Sequence, residues 1–296
     1  MNSRLLGRLA KREILISDGA IGSVLLSRGL PKAQCPESYN LTHPSVLREI
    51  AGEYLNAGAE IIQTNTFGGS PLKLNDYALA DKTEVINRNA VNAVRSAVGE
   101  NAFVSGSCGP SGKILKPYGD TDPLEIYESF HRQIDTLITA GVDVICIETM
   151  TDLNEAMSAL KAARDISSDI PVIVTMTFDA TPRGFYTIMG TDIPTAAKTL
   201  TGGGADIIGS NCGNGIANMV RIAEEFTSET EYPVIIQSNA GLPELKNGKI
   251  FYSETPDFMA EKAVELAELD VLIIGGCCGT TPDHIRAIRE RIDQLK

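Results

Sequence analysis

The stretch DVLIIGGCCGTTPDHI, residues 270–285, begins with an apolar run, continues with two adjacent cysteines and ends in a segment with helix-start signals. The run is nearly continuous in apolar residues rather than alternating, which is typical of a strand buried on both faces of a parallel sheet. Seven other runs rich in Ile and Val share this character: EILISDGA (13–20), AEIIQTNTF (59–67), AFVSGSCGP (102–110), VDVICIETM (142–150), IPVIVTMTFD (170–179), ADIIGSNCG (205–213) and YPVIIQSNAG (232–241).

Segments with helical spacing separate these runs, for example HPSVLREIAGEYLNAG (43–58) and DPLEIYESFHRQIDTLITAG (122–141). Several of them begin at Asp, Thr or His-Pro and end at Gly, which are helix start and stop signals. Eight strand-then-helix units predict an α/β fold, the (β/α)8 or TIM barrel, as a single domain over residues 1–296. A doubly wound open sheet is the alternative, but neither a linker nor a composition shift marks a second half.

The segment SRLLGRLAKR precedes the first run. Its pattern predicts a short extra helix within about residues 1–12 that caps the bottom of the barrel.

The composition limits the possible classes of protein. A hydrophobic fraction of 43% and a charged fraction of 22% are those of a globular domain with a sizeable core. The net charge of −12 argues against nucleic acid, whose phosphates would be repelled. The N-terminus lacks the apolar core of a signal peptide, and no apolar run approaches the roughly 20 residues of a membrane helix. We therefore expect a cytoplasmic protein with no nucleic-acid or membrane partner.

Functional residues of such barrels lie at the C-terminal ends of the strands, where the loops that lead into the helices gather. In this chain nearly every predicted strand end is polar: Asp18-Gly19-Ala20, Asn65-Thr66, Ser107-Cys108, Glu148-Thr149, Thr177-Phe178-Asp179, Asn211-Cys212, Asn239-Ala240-Gly241 and Cys277-Cys278.

Three of the six cysteines stand at such strand ends on two nearby strands. Cys212 ends the sixth run, and Cys277 and Cys278 end the eighth, so the three thiols can converge above the seventh strand. The flanking glycines allow the backbone to leave strand geometry and aim both adjacent sulfurs the same way. Three thiolates suit Zn²⁺ and leave a fourth position for a substrate. Buried structural thiols are the alternative, and we expect that role for the other cysteines: Cys35, Cys108 and Cys146.

Several stretches together resemble the zinc-dependent homocysteine S-methyltransferase family, and most of all the homocysteine-binding barrel of its cobalamin-dependent branch. They are SDGAIGS (17–23), YNLTHPSVLREIAGEYLNAGAEIIQTNTFGGS (39–70), GPSGKIL (109–115), GSNCGNG (209–215), SNAGLPELKNG (238–248) and GGCCGTTPDHI (275–285). The resemblance runs from about residue 13 to 290 and is most specific in the Gly-Gly-Cys-Cys-Gly motif with its upstream Asn-Cys.

The resemblance implies a (β/α)8 barrel that methylates homocysteine to methionine. It implies that Cys212, Cys277 and Cys278 hold zinc and that the substrate binds the metal as a thiolate. In the cobalamin-dependent members, an Asn that matches Asn239 occupies the fourth position until the substrate thiol replaces it.

The family likeness also implies a site for the amino-acid end of the substrate. Glu148 is an anion suited to an α-ammonium group, and Asp18 orients it. An ion pair with a nearby Lys or Arg is the commoner role of a lone carboxylate at a barrel mouth. The remaining predicted contacts are the backbone N–H groups of Gly19 and Ala20, for the carboxylate, and the side chains of Asn65 and Thr66. We expect His284, in the first turn of the last helix, to be solvated.

One stretch departs from the family pattern. After Cys212 the chain has Gly213, Asn214, Gly215 and Ile216, where the family usually has a small apolar residue and often a Pro after the following Gly. The departure concerns the pocket beside the zinc ligand and therefore the identity of the substrate. A second enzymatic function stays possible, that of a corrinoid-system methyltransferase that demethylates another substrate. A non-catalytic zinc-binding barrel is the third possibility, but a structural site closes with four protein ligands and only three are evident.

The methyl donor is predicted from what the chain lacks and from the resemblance. Eight strands and their helices account for nearly all 296 residues, which leaves no space for a second barrel or a cobalamin domain. No D-x-H-x-x-G sequence, the usual cobalamin-ligating signature, occurs. Because residues 39–70 resemble the cobalamin-dependent branch, we expect a separate corrinoid protein that docks over the barrel mouth. A small methylated donor is the alternative.

Overall fold

The computed structural model describes residues 3–31, 33–246 and 249–295. Its central sheet has eight parallel strands in the order β1-β12-β9-β8-β5-β4-β3-β2. The parallel bridge between Ser17 and Ile61 joins the two ends of this order, so the sheet closes on itself. The predicted (β/α)8 barrel is confirmed. Its strands are Leu15–Ile16 (β1), Ile61–Gln63 (β2), Phe103–Cys108 (β3), Val144–Met150 (β4), Val172–Met176 (β5), Ile207–Gly215 (β8), Val234–Asn239 (β9) and Ile273–Gly276 (β12).

Two antiparallel hairpins extend the loops at the C-terminal end of the barrel. The first, β6 (Asp179–Thr181) with β7 (Gly184–Tyr186), follows strand β5. The second, β10 (Glu244–Lys246) with β11 (Lys249–Phe251), follows strand β9. Both hairpins therefore lie on the face where barrel enzymes carry their active sites.

Helices surround the barrel, and several begin where the sequence signals predicted. Asp122 and Asp152 each accept a hydrogen bond from a backbone N–H of the helix that follows, as N-caps do. The helices are Arg4–Leu9 (α1), Ile21–Ser27 (α2), Tyr39–Thr42 (α3), Pro44–Asn56 (α4), Pro71–Asn75 (α5), Thr83–Val98 (α6), Pro123–Ala140 (α7), Leu153–Ile166 (α8), Ile193–Gly202 (α9), Ile216–Glu229 (α10), Pro256–Glu268 (α11) and Pro282–Asp293 (α12), with 3-10 turns at Pro36–Ser38 and Ala80–Lys82.

The lower end of the barrel is apolar and is covered by helix α1. Leu5 and Leu9 of this helix are buried against a layer of side chains from the barrel strands, with Leu272 just before β12: Leu15, Ile61, Phe103, Val144, Cys146, Ile173, Ile207, Ile235, Leu272 and Ile273. A larger apolar cluster fills the space between strands and outer helices. Burial of this layer and of the larger cluster holds the strands in place. The polar side chains at the strand ends are then left at the upper end of the barrel.

No helix in the described ranges is both long enough and apolar enough to cross a bilayer.

The expectation that His284 is solvated is wrong. The ring is only 8% exposed, because it forms part of the cap of helix α12. Its Nδ1 lies 3.2 Å from the Thr281 backbone N, and its Nε2 donates to the Glu254 carbonyl at 3.0 Å. Burial lowers the pKa of His284 below its ordinary value. The side chain is therefore a neutral structural link between α12 and the loop before α11.

Candidate active site

The three predicted thiols meet at the upper end of the barrel. Within the described residues, Cys212, Cys277 and Cys278 are the one group of three or more His, Cys, Asp or Glu residues whose donor atoms all lie within 4.8 Å of one another. The Sγ atoms of Cys212 and Cys278 are 4.0 Å apart. Sulfurs at about 2.3 Å from a tetrahedral zinc ion lie about 3.8 Å from each other, so the cluster already has nearly the right size.

Irregular backbone brings these sulfurs together. Cys212 has a φ of 60°, and the register of β8 against β9 shifts between Asn211 and Gly215, which marks a bulge. On the other side, strand β12 ends before the cysteine pair, and Gly279 follows with a φ of 83°. A Cβ at Gly279 would lie 2.2 Å from the Tyr252 ring, so only glycine permits this close approach.

Hydrogen bonding within the cluster concentrates negative charge on one sulfur. The thiols of Cys277 and Cys278 lower the pKa of Cys212 to about 3. The hydrogen bond to Cys212 in turn raises the pKa of Cys278 to about 11, and the charge on Cys212 contributes in the same direction. All three cysteines are partly exposed, and the other three cysteines of the chain are buried. The cluster therefore combines thiolate character with access from the cavity, as metal-binding thiols do.

Asn239 lies beside this cluster with one unsatisfied atom. The residue is 4% exposed, and its side chain forms a hydrogen bond that stabilises the Cys212 thiolate. Among the described residues, the Asn239 Oδ1 atom has no hydrogen-bond partner. A buried carbonyl oxygen without a partner is rare, and an amide side chain that already contacts Cys212 suits a fourth metal ligand.

Glu148 forms an anionic site in the same cavity. Its side chain is 5% exposed, and its Oε1 accepts a short hydrogen bond from Ser107 Oγ. Its Oε2 accepts one from Asn211 Nδ2 at 3.2 Å. Burial raises the pKa of Glu148 to about 7, and hydrogen bonds from Ser107 and Gln63 favour the ionised form.

Asp18 is a second buried acid near Glu148. It is fully buried, and its Oδ2 accepts a hydrogen bond from the Gln63 backbone N at 2.8 Å. Burial raises the pKa of Asp18 to about 8, and the charge of Glu148 contributes in the same direction. Within the described part of the chain, neither acid lies in an ion pair with Lys, Arg or His. The ion pair expected for a lone carboxylate is therefore absent there, and a cationic ligand is the natural complement.

One cavity of about 230 Å³ connects the acid and the thiols. Its walls include Gly19, Ala20, Asn65, Glu148, Cys212, Cys277 and Cys278. Two predicted contacts have other partners already: the Ala20 N–H donates to Thr280 Oγ1 at 3.2 Å, and the Asn65 amide donates to the Pro36 carbonyl at 2.8 Å. Thr66 is fully buried outside this wall and donates to the Ser107 carbonyl.

Sequence reasoning assigned no role to several polar side chains that line the cavity or support it. Gln63, Ser107, Thr149, Asn211 and Gln237 all line its wall. Ser107, Thr149 and Asn211 stood out as polar strand ends. No local signal distinguished the two glutamines, which lie inside strands β2 and β9.

The chain matches the family model described as homocysteine S-methyltransferase over residues 15–292. It is 33% identical to the methionine synthase of Mycobacterium leprae (strain TN) over 96% of this chain and 24% of that protein. It is 32% identical to the methionine synthase of Mycobacterium tuberculosis (strain ATCC 25618 / H37Rv) over 99% of this chain and 26% of that protein. The chain thus spans about a quarter of the length of these curated relatives.

The fold is also similar to that of a solved structure, the metallated form of the Escherichia coli homocysteine methyltransferase MmuM. The TM-score is 0.80 at 22% identity, with 97% of this chain and 99% of that chain covered. This likeness supports the barrel fold, and the family model identifies the family. The chain belongs to the homocysteine S-methyltransferase family.

Proposed function

We propose that this protein binds zinc through Cys212, Cys277 and Cys278 and transfers a methyl group to homocysteine. The observation that carries the proposal is the shared cavity. At one side it has three sulfurs within 4.8 Å of one another, and at another a buried acid without a cationic partner among the described residues. A ligand with a thiol at one end and an ammonium at the other matches this arrangement, and homocysteine has both.

The donor set fits zinc. Three soft sulfur ligands and one unsatisfied amide oxygen, that of Asn239, suit a tetrahedral ion. When bound, zinc supplies Lewis acidity that lowers the pKa of a substrate thiol, so the thiolate is present at neutral pH. Asn239 would hold the fourth position in the absence of substrate, and the substrate thiol would take its place.

The protein's own residues orient the substrate. Glu148 accepts hydrogen bonds from the α-ammonium group. Asp18, a buried carboxyl close to Glu148 whose pKa is raised to about 8, helps to orient that group as a neutral partner. For the rest of the amino acid we propose contacts with Gly19, Ala20 and Asn65, which line the cavity. Thr66 lies outside the cavity wall and supports the Ser107 carbonyl instead. During transfer the sulfur–methyl bond forms and the donor–methyl bond breaks. The bonding electrons stay on the donor, and the thiol proton has already left to solvent.

The methyl donor that we propose is a separate corrinoid protein that docks over the barrel mouth. Its support is the match to proteins named methionine synthase and the resemblance of residues 39–70 to the cobalamin-dependent branch. Demethylation of another substrate, with the methyl group passed to a corrinoid, is the second candidate function, because Gly213 and Asn214 depart from the family pattern beside Cys212.

We also propose a cytoplasmic location, since six free cysteines suit a reducing compartment.

Two measurements test the proposal. Calorimetric titration with homocysteine, in buffers of different ionisation enthalpy, should show binding with proton release from the thiol. Zinc-loaded protein is then supplied with homocysteine and methylcobalamin, S-methylmethionine or glycine betaine in parallel, and methionine is measured. We expect methionine from methylcobalamin and none from the protein with Cys278→Ala. Absence of homocysteine binding would overturn the proposed substrate, and turnover with a small donor alone would overturn the proposed corrinoid partner.

A further inference from the structure

We propose that Asn211 is a positioning residue that couples the substrate-ammonium site to the metal centre. The proposal rests on the function proposed above, because it concerns the same cavity. Asn211 precedes Cys212 in strand β8 and is completely buried. It has no assigned role in the binding of metal or substrate, yet its side chain contacts both Glu148 and Cys277.

The carboxamide of Asn211 has partners on each side of the cavity. Its Nδ2 lies 3.2 Å from Glu148 Oε2 and 2.8 Å from Thr149 Oγ1. The same nitrogen lies 3.9 Å from Cys277 Sγ. One amide therefore donates to the acid that binds the ammonium group and also reaches a metal-binding sulfur.

The acceptor atom of Asn211 holds the backbone on which Glu148 stands. Asn211 Oδ1 accepts from the Thr149 backbone N at 2.8 Å and from Thr175 Oγ1 at 2.8 Å. Asn211 thus bridges from β8 across β5, which carries Thr175, to β4, which carries Glu148 and Thr149. Side-chain bonds that span three neighbouring strands fix their relative positions at the upper end of the barrel.

Both backbone segments that Asn211 connects are irregular. Thr149 has a φ of 60°, which is costly for a β-branched residue, and the register of β4 shifts between Ile147 and Met150. Cys212 has the same φ of 60° within the irregular register of β8. Such conformations persist only where surrounding contacts hold them. The two irregular segments orient Glu148 and Cys212. The Asn211 side chain bonds to the segment that carries Glu148, and Asn211 itself lies in the segment that carries Cys212.

The test compares two ligands that differ only at the ammonium end. Homocysteine carries the α-amino group, and 4-mercaptobutyrate lacks it but keeps the thiol and carboxylate. In the wild type, the ratio of their dissociation constants measures the contribution of the ammonium site. We expect Asn211→Ser to weaken homocysteine by about 10-fold, the effect of losing one or two buried hydrogen bonds, and 4-mercaptobutyrate by less than about 3-fold. Zinc content should remain one ion per chain.

A second variant keeps the proposal testable if the first folds poorly. Asn211→Asp retains an acceptor for the Thr149 N–H but has no amide donor for Glu148, so it should also lose the preference for homocysteine. The matched control is Asn87→Ser, which removes a fully buried asparagine that donates to the Gly69 and Thr83 carbonyls away from the cavity. We expect the control to keep the wild-type ligand ratio.

Three outcomes would overturn the coupling role. Equal weakening of both ligands by the Asn211 variants would show a general packing effect. A change of the ligand ratio in Asn87→Ser as large as that in the Asn211 variants would also show a general packing effect. Unchanged affinity for both ligands in the Asn211 variants would remove Asn211 from the ammonium site. Failure of the wild type to bind either thiol would instead reject the proposed function, and the coupling with it.

Discussion

The Sγ atoms of Cys212 and Cys278 lie 4.0 Å apart although 66 positions separate the two residues in the chain. Their strands, β8 and β12, are both neighbours of β9 in the barrel. The two sulfurs meet because each chain segment leaves regular strand geometry at its upper end. The cluster is thus a product of barrel closure, and its loss should be measurable separately from the loss of the fold.

Removal of one thiol should abolish zinc binding. We expect Cys278→Ala to lose stoichiometric zinc, because two sulfurs and an amide oxygen bind the metal much less tightly than three sulfurs. The control is Cys108→Ala, which removes a fully buried thiol outside the cluster and should keep one zinc per chain. Metal analysis of the purified proteins decides the matter. Full zinc occupancy in Cys278→Ala would show that the cluster is not the metal site.

Glu148→Gln should weaken homocysteine by about 2 kcal/mol, roughly a 30-fold rise in Kd, because it removes a charged hydrogen bond to the ammonium group. The amide has nearly the same shape and can still bond to Ser107 and Asn211. A matched control is Glu155→Gln, which alters another buried carboxyl, one that bonds to Ser111 outside the cavity wall. Titration calorimetry gives both affinities. An unchanged affinity in Glu148→Gln would remove this residue from the substrate site.

Asp18 should make the folded protein less stable as the pH rises. Folded Asp18 keeps its proton up to a pKa of about 8, whereas an unfolded Asp loses it near pH 3.9. Between these values the folded state binds more protons, so the free energy of unfolding falls with increasing pH. Asp18→Asn cannot lose a proton and should show a shallower decline between about pH 4 and pH 8 in urea denaturation.

The control for this measurement is Asp169→Asn, which alters an exposed carboxylate and should follow the wild-type curve. If Asp18→Asn also follows the wild-type curve, Asp18 is ionised in the folded protein throughout this range.

Asn239→Ala should release zinc faster than the wild type when no substrate is present. The Asn239 Oδ1 atom, which has no other partner among the described residues, is the proposed fourth ligand. Saturating homocysteine should remove most of the difference, since the substrate thiol then occupies that position. Zinc transfer to a colorimetric chelator, with and without homocysteine, measures both rates, and Asn87→Ala serves as the control. Equal acceleration in both conditions would mean that Asn239 only supports the fold near the metal.

The strands and the thiols were predictable because their signals are local. Runs such as VDVICIETM are apolar on both faces, and this property places them in a buried parallel sheet whatever their neighbours are. Barrel topology then puts every strand end on one face, so Glu148 and the cysteines were expected there. The starts of the helices were predictable for the same reason, because capping residues such as Asp122 are local signals.

The tertiary structure alone decided the orientation of these side chains and their protonation states. Nothing in the local sequence indicates that Thr149 and Cys212 adopt positive φ angles, since neither residue type favours them. The bulges arise from the packing of one strand against the next, and Asn211 bonds to residues 62 and 63 positions away. The raised pKa of Asp18 likewise depends on complete burial, which the composition of SDGAIGS does not reveal. Periodicity and residue type determine which elements form, whereas desolvation and contacts between distant strands determine what the site can bind.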